Sequence, residues 1–157
     1  MQKFTPFLWL NNNAEEAMNF YVSIFKNARV VSTSRYGEGT PMAAGTFMVG
    51  TFSLEGQEFI VLNGGPHYKL TPAFSILVNC DTQEEVDDYW EKLTANGGKP
   101  IQCGWLEDKF GLSWQIVPNV FFELLGKGDQ QKNNRMMQAL MGMVKLDIEG
   151  LKKAYEG

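Results

Sequence analysis

The chain has 157 residues, 44% of them hydrophobic and 13% aromatic, which favours a packed core and argues against disorder. A net charge of −4 with no Lys/Arg cluster argues against a nucleic-acid partner. No apolar run approaches bilayer length, residues 1–6 lack a signal-peptide pattern, and two cysteines are too few for a disulfide scaffold, so no membrane partner and a cytoplasmic setting are expected.

Phe4 to Leu10 is aromatic-rich and reads as a first strand. Asn13 is placed as the N-cap of an amphipathic helix over 14–26, with Glu15 and Glu16 in the first turn and Met18, Tyr21, Val22 and Phe25 at helical spacing. Ala28 to Tyr36 carries Val30, Val31 and Thr33 and reads as a strand. Gly37-Glu38-Gly39-Thr40-Pro41 is a turn, Gly45 to Leu54 a strand, and Glu55-Gly56-Gln57 a hairpin turn into Phe59–Leu62. The order is strand, helix, three strands, over residues 3–63.

Asn63-Gly64-Gly65-Pro66 breaks the chain. Ala73 to Val78 reads as a strand, and Thr82 to Asn96 as a helix ended by Gly97-Gly98. Short strands follow at Pro100–Gln102 and Cys103–Leu106, then a turn at Asp108–Gly111 feeds a last strand through Gln115 to Pro118. The same order therefore recurs over 73–118. Sliding the chain by 68 residues sets Leu8 on Ile76, Asn11 on Asn79, Glu16 on Glu84 and Tyr21 on Tyr89. Sliding it by 55 sets Gly56 on Gly111, Phe59 on Trp114 and Val61 on Ile116. Matching caps, aromatics and glycines predict a duplicated unit within one domain over 1–157. The remainder, 130–156, reads as a helical tail. Met136, Met137, Met141 and Met143 serve there as adaptable core packing or as a partner-binding face, and Asp147 caps a last helix through Tyr155.

Several segments carry a family resemblance: Phe4–Trp9, Ala14–Tyr21, Asn63–Pro66, Phe74–Asp81 and Cys103–Gly111. They resemble the PhnB-like family, often labelled 3-demethylubiquinone-9 3-methyltransferase, of the vicinal oxygen chelate superfamily, which includes glyoxalase I and the bleomycin-resistance proteins. The resemblance implies an α+β fold of tandem βαβββ modules, each an incomplete barrel around a cavity, plus C-terminal helices, commonly assembled as a homodimer. Metal-using members of that superfamily place His or Glu on the first and last strand of each module. The corresponding positions here fall near Thr5 and Ile60, and near Ala73 and Gln115. Thr, Ile, Ala and Gln do not make a divalent-metal site, so no metal of that type is expected.

The methyltransferase label finds no support in the glycine pattern. Gly37–Met42 leads into strand-like sequence and not into a helix, so no cofactor is expected. His67 is the sole histidine and lies in the loop between modules, so neither Cys80 nor Cys103 has a base at hand for nucleophilic work. Glu107 and Asp108 remain as acid/base candidates, with Asp108 favoured as a turn residue. The leading expectation is a cavity binding a small organic molecule, lined by Trp9, Phe47, Phe59, Asn63, Phe74, Trp105, Phe110 and Trp114, with Gln115 as its hydrogen-bonding handle. The alternatives are an enzyme using a cavity carboxylate or a recruited metal, and an interaction protein working through the Met-rich tail.

Overall fold

The computed structural model describes residues 2–157, and the chain divides into two compact units, Met1–Leu70 and Thr71–Gly157. The first unit contains β1 (Phe7–Leu10), α1 (Ala14–Ile24), β2 (Arg29–Arg35), β3 (Phe47–Leu54) and β4 (Gln57–Asn63). Its sheet runs in the order β1-β4-β3-β2 and does not close. β1 lies parallel to β4, while the β4–β3 and β3–β2 pairs are antiparallel. Glu55 and Gly56 both have positive φ, at 47° and 86°, the mirror-image turn that two-residue hairpins prefer.

Alternation along the strands divides the sheet into two faces. Leu8 and Leu10 of β1, Phe52 of β3 and Phe59 and Val61 of β4 are buried, and so are Ala14, Ala17, Met18, Tyr21 and Ile24 of α1. Stacked rings join the two layers, with Tyr21 5.8 Å from Phe52 and Phe52 5.3 Å from Phe59. The neighbouring strand residues Phe7, Trp9, Val49, Thr51, Ile60 and Leu62 point to the opposite face and keep some exposure.

The second unit repeats this order with β5 (Ser75–Cys80), α2 (Gln83–Thr94), β6 (Lys99–Pro100), β7 (Trp105–Glu107) and β8 (Ser113–Pro118). The strand order β5-β8-β7-β6 reproduces that of the first unit, with β5 parallel to β8. Val86, Tyr89, Trp90 and Leu93 of α2 are buried, as are Leu106, Trp114 and Ile116 of one sheet face.

The repeat is real but not rigid. Leu8 pairs with Val61, whereas its counterpart Ile76 pairs with Trp114 and not with Ile116. The first strand is thus displaced by two residues against the last. An even displacement leaves every side chain on its original face, whereas an odd one would turn the core outward.

The structure corrects several expected boundaries. β1 starts at Phe7, because Pro6 lacks an N–H and contributes its carbonyl alone, to Ile60 N at 2.9 Å. β5 runs from Ser75 to Cys80, two residues later than expected at both ends. β6 occupies Lys99–Pro100. Helix α1 stops at Ile24, and Asn13 does flank it but makes no side-chain cap bond.

A helix at Asn119–Leu125, α3, falls between the expected last strand and the expected tail, and Pro118 precedes its first turn. α4 (Gln130–Met141) and α5 (Ile148–Glu156) form the expected tail, with Asp147 accepting from Gly150 N at 2.9 Å. Leu124, Met136, Leu140, Leu146, Leu151 and Tyr155 cluster there with Val117 of β8. Carbonyls of Met143 and Val144 accept from Cys103 N and Gly104 N, and the Gln83 amide grips Leu146 O and Ile148 N.

The candidate binding face and its relatives

In β8 Gln115 is the one residue that is not buried, and Val117, on its side of the strand, packs into the core of the tail. Trp114 and Ile116 are almost wholly buried on the α2 side. Gln115 points the other way and lies in register with Trp105 of β7 and Leu77 of β5. The same face carries Ser113, paired in register with both Ser75 and Glu107, and Glu107 is paired in turn with Lys99 of β6. Gln115 Nε2 donates to Ser75 Oγ at 2.9 Å, which fixes the carboxamide. Lys99 Nζ stands 3.6 Å from the Glu107 carboxylate. Ser113 is buried and its hydroxyl has no hydrogen-bond partner. An orphaned buried hydroxyl is costly and calls for a reason.

Asp108 begins the turn that aims β8. Its carboxylate accepts from Phe110 N at 2.8 Å, Leu112 N at 3.1 Å and Trp114 Nε1 at 2.8 Å. Gly111, at φ 87°, closes the loop by donating to Asp108 O. The turn reading of Asp108 therefore holds, and the adjacent Glu107 is left on the open face.

The aromatic residues expected at the cavity separate into groups. Trp105 and Gln115 share the open face of the second sheet. Phe74, just before β5, is 48% exposed, and Phe110 is half-buried in the Asp108 turn with Lys109 Nζ 5.1 Å above its ring. Phe59 and Trp114 face the helices and belong to the two cores. In the first unit, Phe47 is buried with the Arg35 guanidinium 5.7 Å over its ring.

Trp9 lies on the open side of its own sheet and donates Nε1–H to Gly65 O at 2.9 Å. A Cβ on Gly64 would come within 2.3 Å of the Trp9 ring, so glycine is what permits the loop to lie on the indole. Tyr68 meets Trp9 edge-on at 5.1 Å. Asn63 is not a cavity group. Its Oδ1 accepts from Ala14 N at 2.8 Å and its Nδ2 donates to Phe47 O at 3.2 Å, so it performs the capping expected of Asn13. Glu107, Ser113 and Ser75 were not placed on this face by sequence reasoning. The alternation of Trp105-Leu106-Glu107 is the signal that could have found Glu107.

The positions where a chelating fold would hold its metal do not fit one. Thr5 and Ala73 precede β1 and β5, so the side chains opposite Ile60 and Gln115 are Phe7 and Leu77. Phe, Ile and Leu offer no ligand atom, and a neutral carboxamide is a poor one for a divalent transition metal. Among the described residues no three His, Cys, Asp or Glu side chains converge. The glycine turn at 37–41 leads into β3 and not into a helix. Among the described residues no helix is long and apolar enough to cross a membrane.

Tandem βαβββ units with open sheets and C-terminal helices define an α+β protein of the glyoxalase and bleomycin-resistance fold class. The family profile described as 3-demethylubiquinone-9 3-methyltransferase matches residues 2–117, and the chain belongs to this PhnB-like family. Its structure resembles the PhnB protein of Bacillus cereus at 41% identity and TM-score 0.69, covering 74% of this chain and 99% of that one. Protein PA1353 of Pseudomonas aeruginosa is similar at 19% identity and TM-score 0.62, covering 75% and 98%. The fosfomycin resistance protein FosX of Listeria monocytogenes shares the fold at 18% identity and TM-score 0.51, covering 75% and 93%. No curated protein matches the chain.

Proposed function

We propose that this protein binds a small, planar organic molecule on the open face of its second sheet, without a resident metal, as a cytoplasmic homodimer. The observation that carries the reading is the fixed carboxamide of Gln115, held by Ser75 and set in register beside Trp105. An aromatic wall with one oriented polar group is the usual makeup of a site for such ligands. The free thiols of Cys80 and Cys103 fit a reducing compartment.

Native mass spectrometry with elemental analysis of the purified protein tests this reading. A retained organic mass without stoichiometric metal is expected, and Gln115→Ala should release that mass while the protein stays folded. Stoichiometric zinc, nickel or iron, or a ligand indifferent to Gln115, would overturn it.

A further inference from the structure

We propose that Glu107 makes the open face of the second sheet selective for a ligand whose planar body carries a cationic N–H group, such as an amidinium. The inference rests on the binding reading above and names its ligand class. Glu107 follows the core residue Leu106 in β7, so alternation sets it beside Trp105 on the open side. Among the described residues of the sheet it is the one carboxylate on that side, since Asp108 is consumed by the N–H donors of its own turn.

The present counter-ion of Glu107 is weakly held. Lys99 sits on a two-residue edge strand, its side chain is 73% exposed, and it approaches no closer than 3.6 Å, against 28% exposure for Glu107. A loose exposed pair of this kind contributes little and is readily exchanged. An amidinium presents two parallel N–H groups to a carboxylate and keeps its flat body for the Trp105 indole. The register partner of Glu107 across the ladder is Ser113, and Gln115, the carboxamide that faces the ligand, lies two residues further along that strand. Donor-seeking and acceptor-seeking groups thus meet on one patch.

Three isosteric probes separate charge from shape: benzamidine, benzamide and benzoate. Each is titrated into the full-length protein while the Gln115 side-chain amide and the Trp105 indole N–H are followed by NMR. Benzamidine should bind tightest and benzoate weakest. Glu107→Gln should weaken benzamidine about fivefold and leave benzamide unchanged, as expected for losing one partly solvated charge-assisted contact. Lys99→Met removes the competing ammonium and should tighten benzamidine. A thermal melt of each variant checks that the fold is retained. Benzoate binding as well as benzamidine, or indifference of benzamidine to Glu107→Gln, would overturn the charge preference alone. Absence of any shift at Gln115 and Trp105 with all three probes would overturn the binding face as well.

Discussion

At the scale of single residues, the polar side chains with the largest structural effect are those that satisfy buried donors. Asp108 is 2% exposed and takes three N–H groups, including the indole of Trp114. Asp108→Ala would strand all three, so a loss of about 3 kcal/mol is expected in urea unfolding, with Asp108→Asn losing less because it keeps acceptor oxygen in place. Asn63 caps α1 from 49 residues away. Asn63→Ala should cost about 1–2 kcal/mol by thermal or urea denaturation, while Asn13→Ala should cost far less because Asn13 makes no cap bond.

Cys80 is a third case. Burial, reinforced by the negative charges of Glu85 and Asp81, pushes its thiol from 9.0 to about 12. The folded chain therefore keeps a proton that the unfolded chain releases above pH 9. Stability is unaffected below that value and falls as pH rises from about 9 to 12. Comparison of the wild type with Cys80→Ala isolates this slope from the titration of lysines and tyrosines. A thiol reagent at pH 8 should find Cys80 inert until the protein unfolds.

At the scale of elements, β8 shows how one strand serves two purposes. Its Trp114 and Ile116 hold α2, and Gln115 between them faces outward. The period of two is readable from residues 113–118, but whether Trp114 or Gln115 faces the helix depends on what packs on each side. The sequence expectation put both at the cavity. In the tail, helical spacing divides the methionines as sharply. Met136 is fully buried, while Met141 is 63% exposed. Met136→Ala should destabilise by about 3 kcal/mol in chemical denaturation, and Met141→Ala by under about 0.5. The reading of the tail as adaptable packing thus describes Met136, while Met137 and Met141 stand on the exposed side of α4.

At the scale of the whole molecule, the proposal includes a homodimer. In the first unit Phe7 is 56% exposed, and in the second Phe74 and Leu77 are 48% and 39% exposed, apolar surface of the kind that a second copy buries. Light scattering behind size exclusion should give twice the monomer mass at micromolar concentration, and a monomer mass would remove the dimer from the reading. The family match ends at residue 117, just before α3, so the tail helices are this chain's addition to the matched region. Carbonyls of Met143 and Val144, in the segment between α4 and α5, accept from Cys103 N and Gly104 N, which ties that addition to the hairpin carrying Trp105 and Glu107.

The sequence by itself determined the order of elements through residue 118, the duplication, the turns at 55–57 and 108–111 and the capped last helix. Each of these is encoded within a few residues, by periodicity and turn chemistry. Only the tertiary structure decided that Asn63 and not Asn13 caps α1, that β5 slips by two residues along β8, and that Glu107 faces outward while Asp108 is spent on its turn. Those outcomes depend on partners brought together from distant parts of the chain. Local preference leaves such choices nearly equal, and packing and the satisfaction of buried polar groups decide between them.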